Sequence, residues 1–258
     1  MIPKKIHYCW FGGNPKSKLI KKCIKSWKKY CPDYEIVEWN ENNFDVNCCD
    51  YVKEAFEAKK WAFLTDYARL WILYNHGGIY LDTDVELISS LDSFLKYDSY
   101  FGFETETCVN TGLGFGAVAG NKIVKAMLDD YNGTHFINKD GSYDLTTCPV
   151  RNSGVLESFG LIRNNTMQII ENNAFFPSDY FSPIDYESCQ KNITENTVSI
   201  HWFNASWKTS EQKKEHERMT KKYKRKDLIH RILHIPHFLL RKIMGDKLYE
   251  KFKSIIKK

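Results

Sequence analysis

The stretch "AFLTDYARLWILYNHGGIYLDTDVEL", residues 62–87, changes periodicity at its paired glycines. Ahead of them Trp61, Leu64, Ala68, Trp71 and Ile72 recur three and four residues apart, the stripe of a buried helix face. The same pattern reaches back to Tyr51, so one long helix is expected from Tyr51 to about His76, stopped by Gly77. After the glycines, "IYLDTDVELI" reads as a strand, apolar at first and then carrying two carboxylates one residue apart. A helix feeding straight into a strand is half of an α/β unit.

Outward from this junction, "KKIHYCWF" (4–11) reads as a short strand closed by Gly12, Gly13 and Pro15. In "PKSKLIKKCIKSWKKY" (15–30), Leu19, Ile20, Cys23, Ile24 and Trp27 form one helix face and lysines the other, and "YEIVEWN" (34–40) is a second strand. Strand, helix, strand opens an α/β sheet. Further strands are expected at Tyr100–Glu104, Leu113–Ala119, Met167–Ile170 and Val198–Trp202, with a helix over Asn121–Tyr131. Residues 132–152, rich in Gly, Asn, Asp and Thr, read as a flexible loop.

A chain of 258 residues supports one full core with an appendage, and 43% apolar with 15% aromatic residues excludes a disordered protein. The formal charge of +5 is unevenly spread, since residues from Lys213 onward are strongly basic and the first two hundred are near balance. Eight cysteines (9, 23, 31, 48, 49, 108, 148 and 189) make no C-x-x-C pair and no zinc-finger spacing, so structural zinc is not expected. The opening "MIPKKIHYCWFGG" lacks the apolar region of a signal peptide, and no run long enough to span a bilayer follows. The expectation is a cytoplasmic protein with reduced thiols, whose N-x-S/T sequons at Asn132, Asn164, Asn192 and Asn204 are accidental.

In an unbroken strand, positions i and i+2 share a face, so Asp82 and Asp84 would point together. At the carboxyl edge of an α/β sheet such a pair is an oxygen cage for a divalent cation. D-x-D alone is too common to discriminate from two solvated aspartates. Asp66 and Arg69 sharpen the reading, because they are neighbours three residues apart on a helix that is otherwise core.

"IPKKIHYCWFGG" (2–13), "LTDYARLWILYNHGGIYLDTDV" (64–85) and "HWFNASW" (201–207) resemble the family 32 glycosyltransferases. That group, with its D-x-D sugar-binding region, includes initiating mannosyltransferases and capsule enzymes, and the glucosylating domains of clostridial toxins are more distant relatives. The resemblance implies a GT-A fold over residues 1–207, an α/β domain with a Rossmann-like, mixed central sheet. It implies a nucleotide-sugar donor, UDP-hexose in preference to GDP-hexose, and Mn²⁺ or Mg²⁺. By matching, Asp82 and Asp84 hold the metal against the diphosphate, with His201 as the third ligand and Trp202 facing away. Asp66 takes a donor-sugar hydroxyl, Arg69 lies by the diphosphate or sugar, and Asn110 in "VNTGLGFGA" contacts the sugar. Trp10 stacks on the base, and Ser206 with Trp207 closes over the phosphates; His7 is structural.

"RNSGVLES" (151–158) departs from the family's T-G-P segment, leaving Asn152 and Ser153 as weaker acceptor-side candidates. The implied reaction is retaining hexosyl transfer to a glycan or lipid-linked glycan in bacterial capsule or lipopolysaccharide synthesis. No carboxylate is positioned by sequence as a nucleophile; Asp144, Glu157 and Asp185 are only neighbours.

Residues 208–258 form a basic tail whose last part, "DLIHRILHIPHFLLRKIMGDKLYEKFKSIIKK", mixes apolar residues with Arg and Lys around Pro236. It suits a helix pair in an anionic lipid surface, which would place the enzyme on the inner face of the cytoplasmic membrane. A nucleic-acid partner is not expected, because no stacking platforms interleave the charges. Two rival readings stand beside the transferase. One is a catalytically inactive glycan-binding scaffold of the same fold. The other is a phosphohydrolase with an aspartyl nucleophile, which wants Thr or Val where Glu86 stands.

Overall fold

A computed structural model describes residues 1–185 and 190–203, with single positions at 211, 214, 218, 221 and 245. The chain divides into two compact units, Met1–Asp185 with Gln190–Lys208, and Tyr186–Cys189 with Thr209–Lys258. In the second, Glu211, Lys214, Arg218 and Lys221 are helical and exposed. Ser206, Trp207 and the lipid-surface reading of the tail fall outside the described residues. Among the described residues no helix is long and apolar enough to cross a membrane.

The first unit is built on β1 (Lys5–Cys9), β2 (Glu35–Trp39), β3 (Gly78–Tyr80), β5 (Ser99–Gly102), β6 (Phe115–Ala117), β7 (Gln168–Ile170) and β8 (Asn173–Phe176). They form a mixed sheet in the order β2-β1-β3-β6-β5-β8-β7. β1 is parallel to β2 and β3, while β6 runs antiparallel to β3 and β5. The helices are α1 (Lys18–Tyr30), α2 (Asp50–Glu57), α3 (Trp61–His76), α4 (Lys122–Asp129), α5 (Cys148–Ser158) and α6 (Ser178–Phe181).

Strand alternation divides the core between the two faces of the sheet. Tyr80, Phe101 and Phe175 enter one apolar cluster with residues of α2, α3, α4 and α5. Their neighbours Ile79, Tyr100 and Ala174 enter the other, with Cys23 and Trp27 of α1 and Phe181 of α6. Both faces are covered, as expected of an α/β layer architecture.

Three expectations are corrected. The helix read from Tyr51 to His76 is two helices, α2 and α3, parted at Lys59, which adopts φ 55. The chain also forms strand β8, and helix α5 replaces the end of the expected loop over 132–152, with Pro149 in its first turn an ordinary helix start. The strand "IYLDTDVELI" is interrupted, as the site below makes clear.

His7 is structural, as expected, and it locks the α3–β3 junction. Its Nδ1 accepts from Trp39 Nε1 at 3.0 Å, so Nε2–H donates to the Gly77 carbonyl at 3.0 Å. Burial pushes its pKa down to about 4, with the Gly77 carbonyl opposing. A folded value below the unfolded 6.5 means that the unfolded chain takes up the proton first. The contribution of neutral His7 is therefore complete above pH 6.5 and is lost as pH falls from 6.5 towards 4, a difference of ~3 kcal/mol. Urea unfolding across this window is expected to show that loss, and His7→Gln to flatten it.

Candidate active site

The carboxylate stretch leaves the main sheet after Tyr80. Leu81 N–H still donates to the His7 carbonyl at 3.0 Å, and the chain then turns at Thr83 and Asp84, closed by Val85 N–H on the Asp82 carbonyl at 3.0 Å. The strand resumes as β4 (Val85–Leu87), paired only with β9 (Ser199–His201) in a separate two-stranded sheet. Pleat alternation therefore does not align Asp82 with Asp84. The turn brings them together, and the register sets His201 opposite Val85. One ligand atom from each of Asp82, Asp84 and His201 lies within 4.8 Å of the others.

Helix α1 holds this outer sheet in place: Trp27 Nε1 donates to the Val85 carbonyl at 2.7 Å, and Ser26 Oγ accepts from Leu87 N–H at 2.9 Å. His201 Nε2 lies 3.2 Å from Asp84 Oδ1, and Trp202 N–H donates to the Asp84 carbonyl at 3.1 Å. Trp202 itself turns to Glu86, donating from Nε1 at 2.9 Å.

Arg69, 3% exposed, ties α3 to the turn. Its Nη2 is 2.9 Å from Asp66 Oδ1 and 3.3 Å from Asp82 Oδ1, and the guanidinium stands over the Tyr80 ring at 5.1 Å. Tyr80 O–H also donates to Asp82 at 2.9 Å. On its other side Arg69 Nη1 donates to Cys148 Sγ at 3.4 Å, and that thiol donates to Asn110 Oδ1 at 3.3 Å. Asn110 Oδ1 also accepts from Gly112 N–H at 2.6 Å, while its amide donates to Glu104. Asp66, Arg69, Asp82 and Asn110 thus share one network.

Cys148, Tyr80 and Glu104 are the members that sequence reading missed. Cys148 reads in sequence as an ordinary thiol; the signal for it is its spacing with Asn152 and Leu156, a buried stripe at i, i+4 and i+8.

The electrostatics follow from burial. Asp66 is pushed up to about 6 by burial, with Arg69 restraining the rise and Asp82 adding to it. Asp82 is raised for the same reasons, with Asp84 adding. Burial alone would lower His201, but Asp84 and then Asp82 and Glu104 outweigh it, so its pKa is raised. A cation among these groups would reverse both of the latter shifts.

Two observations fit such a cation. His201 Nδ1 is buried with no hydrogen-bond partner among the described residues. A Cβ on Gly112 would stand 2.4 Å from Asp82 Oδ2, 3.0 Å from Asn110 Oδ1 and 3.1 Å from Arg69 Nη1, so the hollow beside Asp82 exists only because residue 112 lacks a side chain. Two carboxylates and an imidazole suit a hard divalent ion such as Mn²⁺ or Mg²⁺. Gly112→Ala is expected to displace Asp82, costing about 1–3 kcal/mol in urea unfolding and weakening Mn²⁺ binding in calorimetry. Unchanged Mn²⁺ affinity would exclude Asp82 from the cation site.

Trp10 follows β1, whose parallel pairing with β3 brings both strands out on the same edge of the sheet. It is half-buried; its Nε1 donates to the Asn14 carbonyl at 2.7 Å, and Lys16 Nζ stands 5.3 Å from its ring. Asn152 and Ser153 are occupied internally, bonding Thr111 Oγ1 and Val109 N–H at 2.9 Å each, and so support the loop that bears Asn110. Asp144 pairs with Arg151, and Glu157 with Arg163 at 2.7 Å.

Residues 17–101 match a family model described as the glycosyltransferase sugar-binding region containing DXD motif. Inositol phosphoceramide mannosyltransferase 3 of Schizosaccharomyces pombe is 33% identical over 106 residues, 38% of this chain and 29% of that protein. An uncharacterized glycosyltransferase of Acanthamoeba polyphaga mimivirus is 32% identical over 110 residues, 39% of this chain and 43% of that one. The chain thus spans less than half the length of these curated relatives. The solved PaToxG glycosyltransferase aligns with a TM-score of 0.44 at 20% identity, covering 61% of this chain and 69% of that one.

Proposed function

We infer, from a chain whose residues 17–101 belong to the family of glycosyltransferase sugar-binding regions containing a DXD motif, that this site is the donor pocket of a metal-dependent glycosyltransferase with a GT-A catalytic domain over residues 1–207. One observation carries the reading: Arg69 stands between Asp66 and Asp82, and Asp82 groups with Asp84 and His201. A sugar-hydroxyl acceptor, a fixed positive charge and a cation cage then lie side by side.

Transfer from a nucleoside diphosphate sugar requires the departing diphosphate to be stabilised, which a bound divalent cation supplies as a Lewis acid without proton transfer. Asp82, Asp84 and His201 would hold it. Asp66, still largely ionised at neutral pH with a value of about 6, accepts hydroxyls of the donor sugar. Arg69 orients Asp66 and Asp82 and adds positive charge near the phosphates. Asn110, fixed by Glu104, Gly112 and Cys148, meets the sugar from the opposite side of the network. Trp10, on the same sheet edge, offers its ring to the base.

The donor we favour is a UDP-hexose, transferred with retention to a glycan or lipid-linked glycan of a bacterial surface polysaccharide. The Schizosaccharomyces pombe relative is named a mannosyltransferase, which puts GDP-mannose in the same donor panel. The test is thermal unfolding with Mn²⁺ against UDP- and GDP-sugars. The midpoint is expected to rise only when metal and one nucleotide class are both present, because a ligand of the folded state stabilises it by mass action. A flat response to every nucleotide, in a protein that still melts cooperatively, would overturn the transferase and leave the inactive glycan-binding scaffold.

A further inference from the structure

We propose that the outer face of α1 is a docking surface for an anionic membrane. The helix carries Lys18, Lys21, Lys22, Lys25, Lys28 and Lys29, all exposed, and no acidic residue in its thirteen positions. At the α-helical step these six fall within an arc of roughly 120° along a rod about 20 Å long. Lys22 pairs with Glu86 at 2.7 Å; the other five make no ion pair among the described residues. The opposite face is held in the core by Ile20, Cys23, Ser26 and Trp27, with Trp27 and Ser26 bonded to β4, so the lysine strip cannot rotate out of reach.

The strip is costly for the helix that bears it. Lys18 and Lys22, Lys21 and Lys25, and Lys25 and Lys29 are all i, i+4 pairs, whose like charges destabilise a helix by a few tenths of a kcal/mol each. A face needed only for solubility would intersperse both signs.

The chemistry of the strip selects its partner. All six cations are lysines and none is arginine. A guanidinium fork is suited to specific, bidentate capture of one phosphate or carboxylate, whereas ammonium groups are hydrated point charges that sum over a diffuse surface. A straight row of such charges, with Lys22, Lys25, Lys28 and Lys29 bordering a hollow shared with β4, matches a plane of anionic headgroups, to which each lysine contributes separately and only within a Debye length. Trp27 is buried, and the half-buried rings beside the strip, Tyr30 and Trp202, are already covered by the ammonium groups of Lys29 and Lys22, so no run of free stacking platforms serves single-stranded nucleic acid. The inference stands on the first unit alone and is independent of the transferase reading.

The test is flotation of the full chain with vesicles of phosphatidylcholine alone, or of phosphatidylcholine and phosphatidylglycerol in equal parts, at low and at physiological salt. The wild type is compared with a variant combining Lys18→Gln, Lys21→Gln, Lys25→Gln, Lys28→Gln and Lys29→Gln, and with the same five changed to Arg. Wild type and the Arg variant are expected to float only with the anionic vesicles and to be released by salt, while the Gln variant's affinity falls by about tenfold or more. Should the Gln variant fail to melt cooperatively, the pair K25Q and K29Q, with a loss of several-fold, decides in its place. Equal flotation of wild type and the Gln variant would overturn the proposal and assign any membrane binding to the tail. Capture of the wild type by a soluble polyanion such as heparin, with no binding to either vesicle, would overturn it too.

Discussion

Arg69→Met is expected to destabilise the fold by about 3–5 kcal/mol, the cost of removing one partner from a buried ionic group. The Arg69 side chain is 4% exposed, and its guanidinium lies within 3.3 Å of two carboxylates, Asp66 and Asp82, whose side chains are 11% and 25% exposed. Methionine keeps much of the volume, so packing is nearly conserved and the loss measures the uncompensated charge. Urea unfolding of the single variant, of Asp66→Asn and of the double variant forms a cycle. In it, Asp66→Asn should recover stability in the Arg69→Met background, because it removes a carboxylate that has lost its cation. A double variant no more stable than Arg69→Met would show that Arg69 acts through packing on Tyr80 instead.

Asp84→Ala is expected to behave in the opposite way, sparing the fold and abolishing function. Removal of Asp84 lifts its repulsion on Asp82, and His201, whose pKa Asp84 holds up, can answer the loss of its 3.2 Å partner by releasing its proton, which Arg69 cannot do, so the unfolding midpoint without metal should fall much less than for Arg69→Met. The Mn²⁺-dependent nucleotide shift should vanish. Transfer should fall by about 10²–10³-fold, the order seen when one preorganised electrostatic contact to a transition state is removed. The split between an intact apo midpoint and a missing metal response is the decisive reading. A variant that retained full Mn²⁺-dependent binding would exclude Asp84 from the cation site, whatever its activity.

These two residues lie close in sequence, yet their legibility differs. The Asp66–Arg69 neighbourhood could be read from helical spacing alone, and α3 ends at Gly77 as expected, with φ 63 and room for no Cβ against Ala119 N–H. Asp82 and Asp84 do come together, but not by the route that spacing implies. Strand alternation predicts a shared face, whereas a turn and a change of sheet bring them together. In "DTDVEL" the turn preference of the two aspartates is a weak signal beside the strand-favouring Thr and Val, and the glycines that punctuate the strand lie before the break. The same holds for the split between α2 and α3. "EAKKWAF" contains neither Gly nor Pro, and the break is accompanied by Trp61 seated on Gly12, where a Cβ would meet the indole at 2.8 Å.

By itself the sequence determined the α/β class, the helix-to-strand junction at Gly77 and Gly78, the apolar mount of Ile79 to Leu81, and the spacing of Asp66 with Arg69. Each of these depends on periodicity or covalent separation within a few turns of chain, where backbone geometry permits few alternatives. Only the tertiary structure decided that Arg69 reaches Asp82, that Cys148 comes from 79 residues away to lie between Arg69 and Asn110, and that β9 delivers His201 to the carboxylates. Those contacts exist because distant segments pack on one sheet edge. Packing of that kind is chosen by the whole core's complementarity and leaves no local periodicity to read.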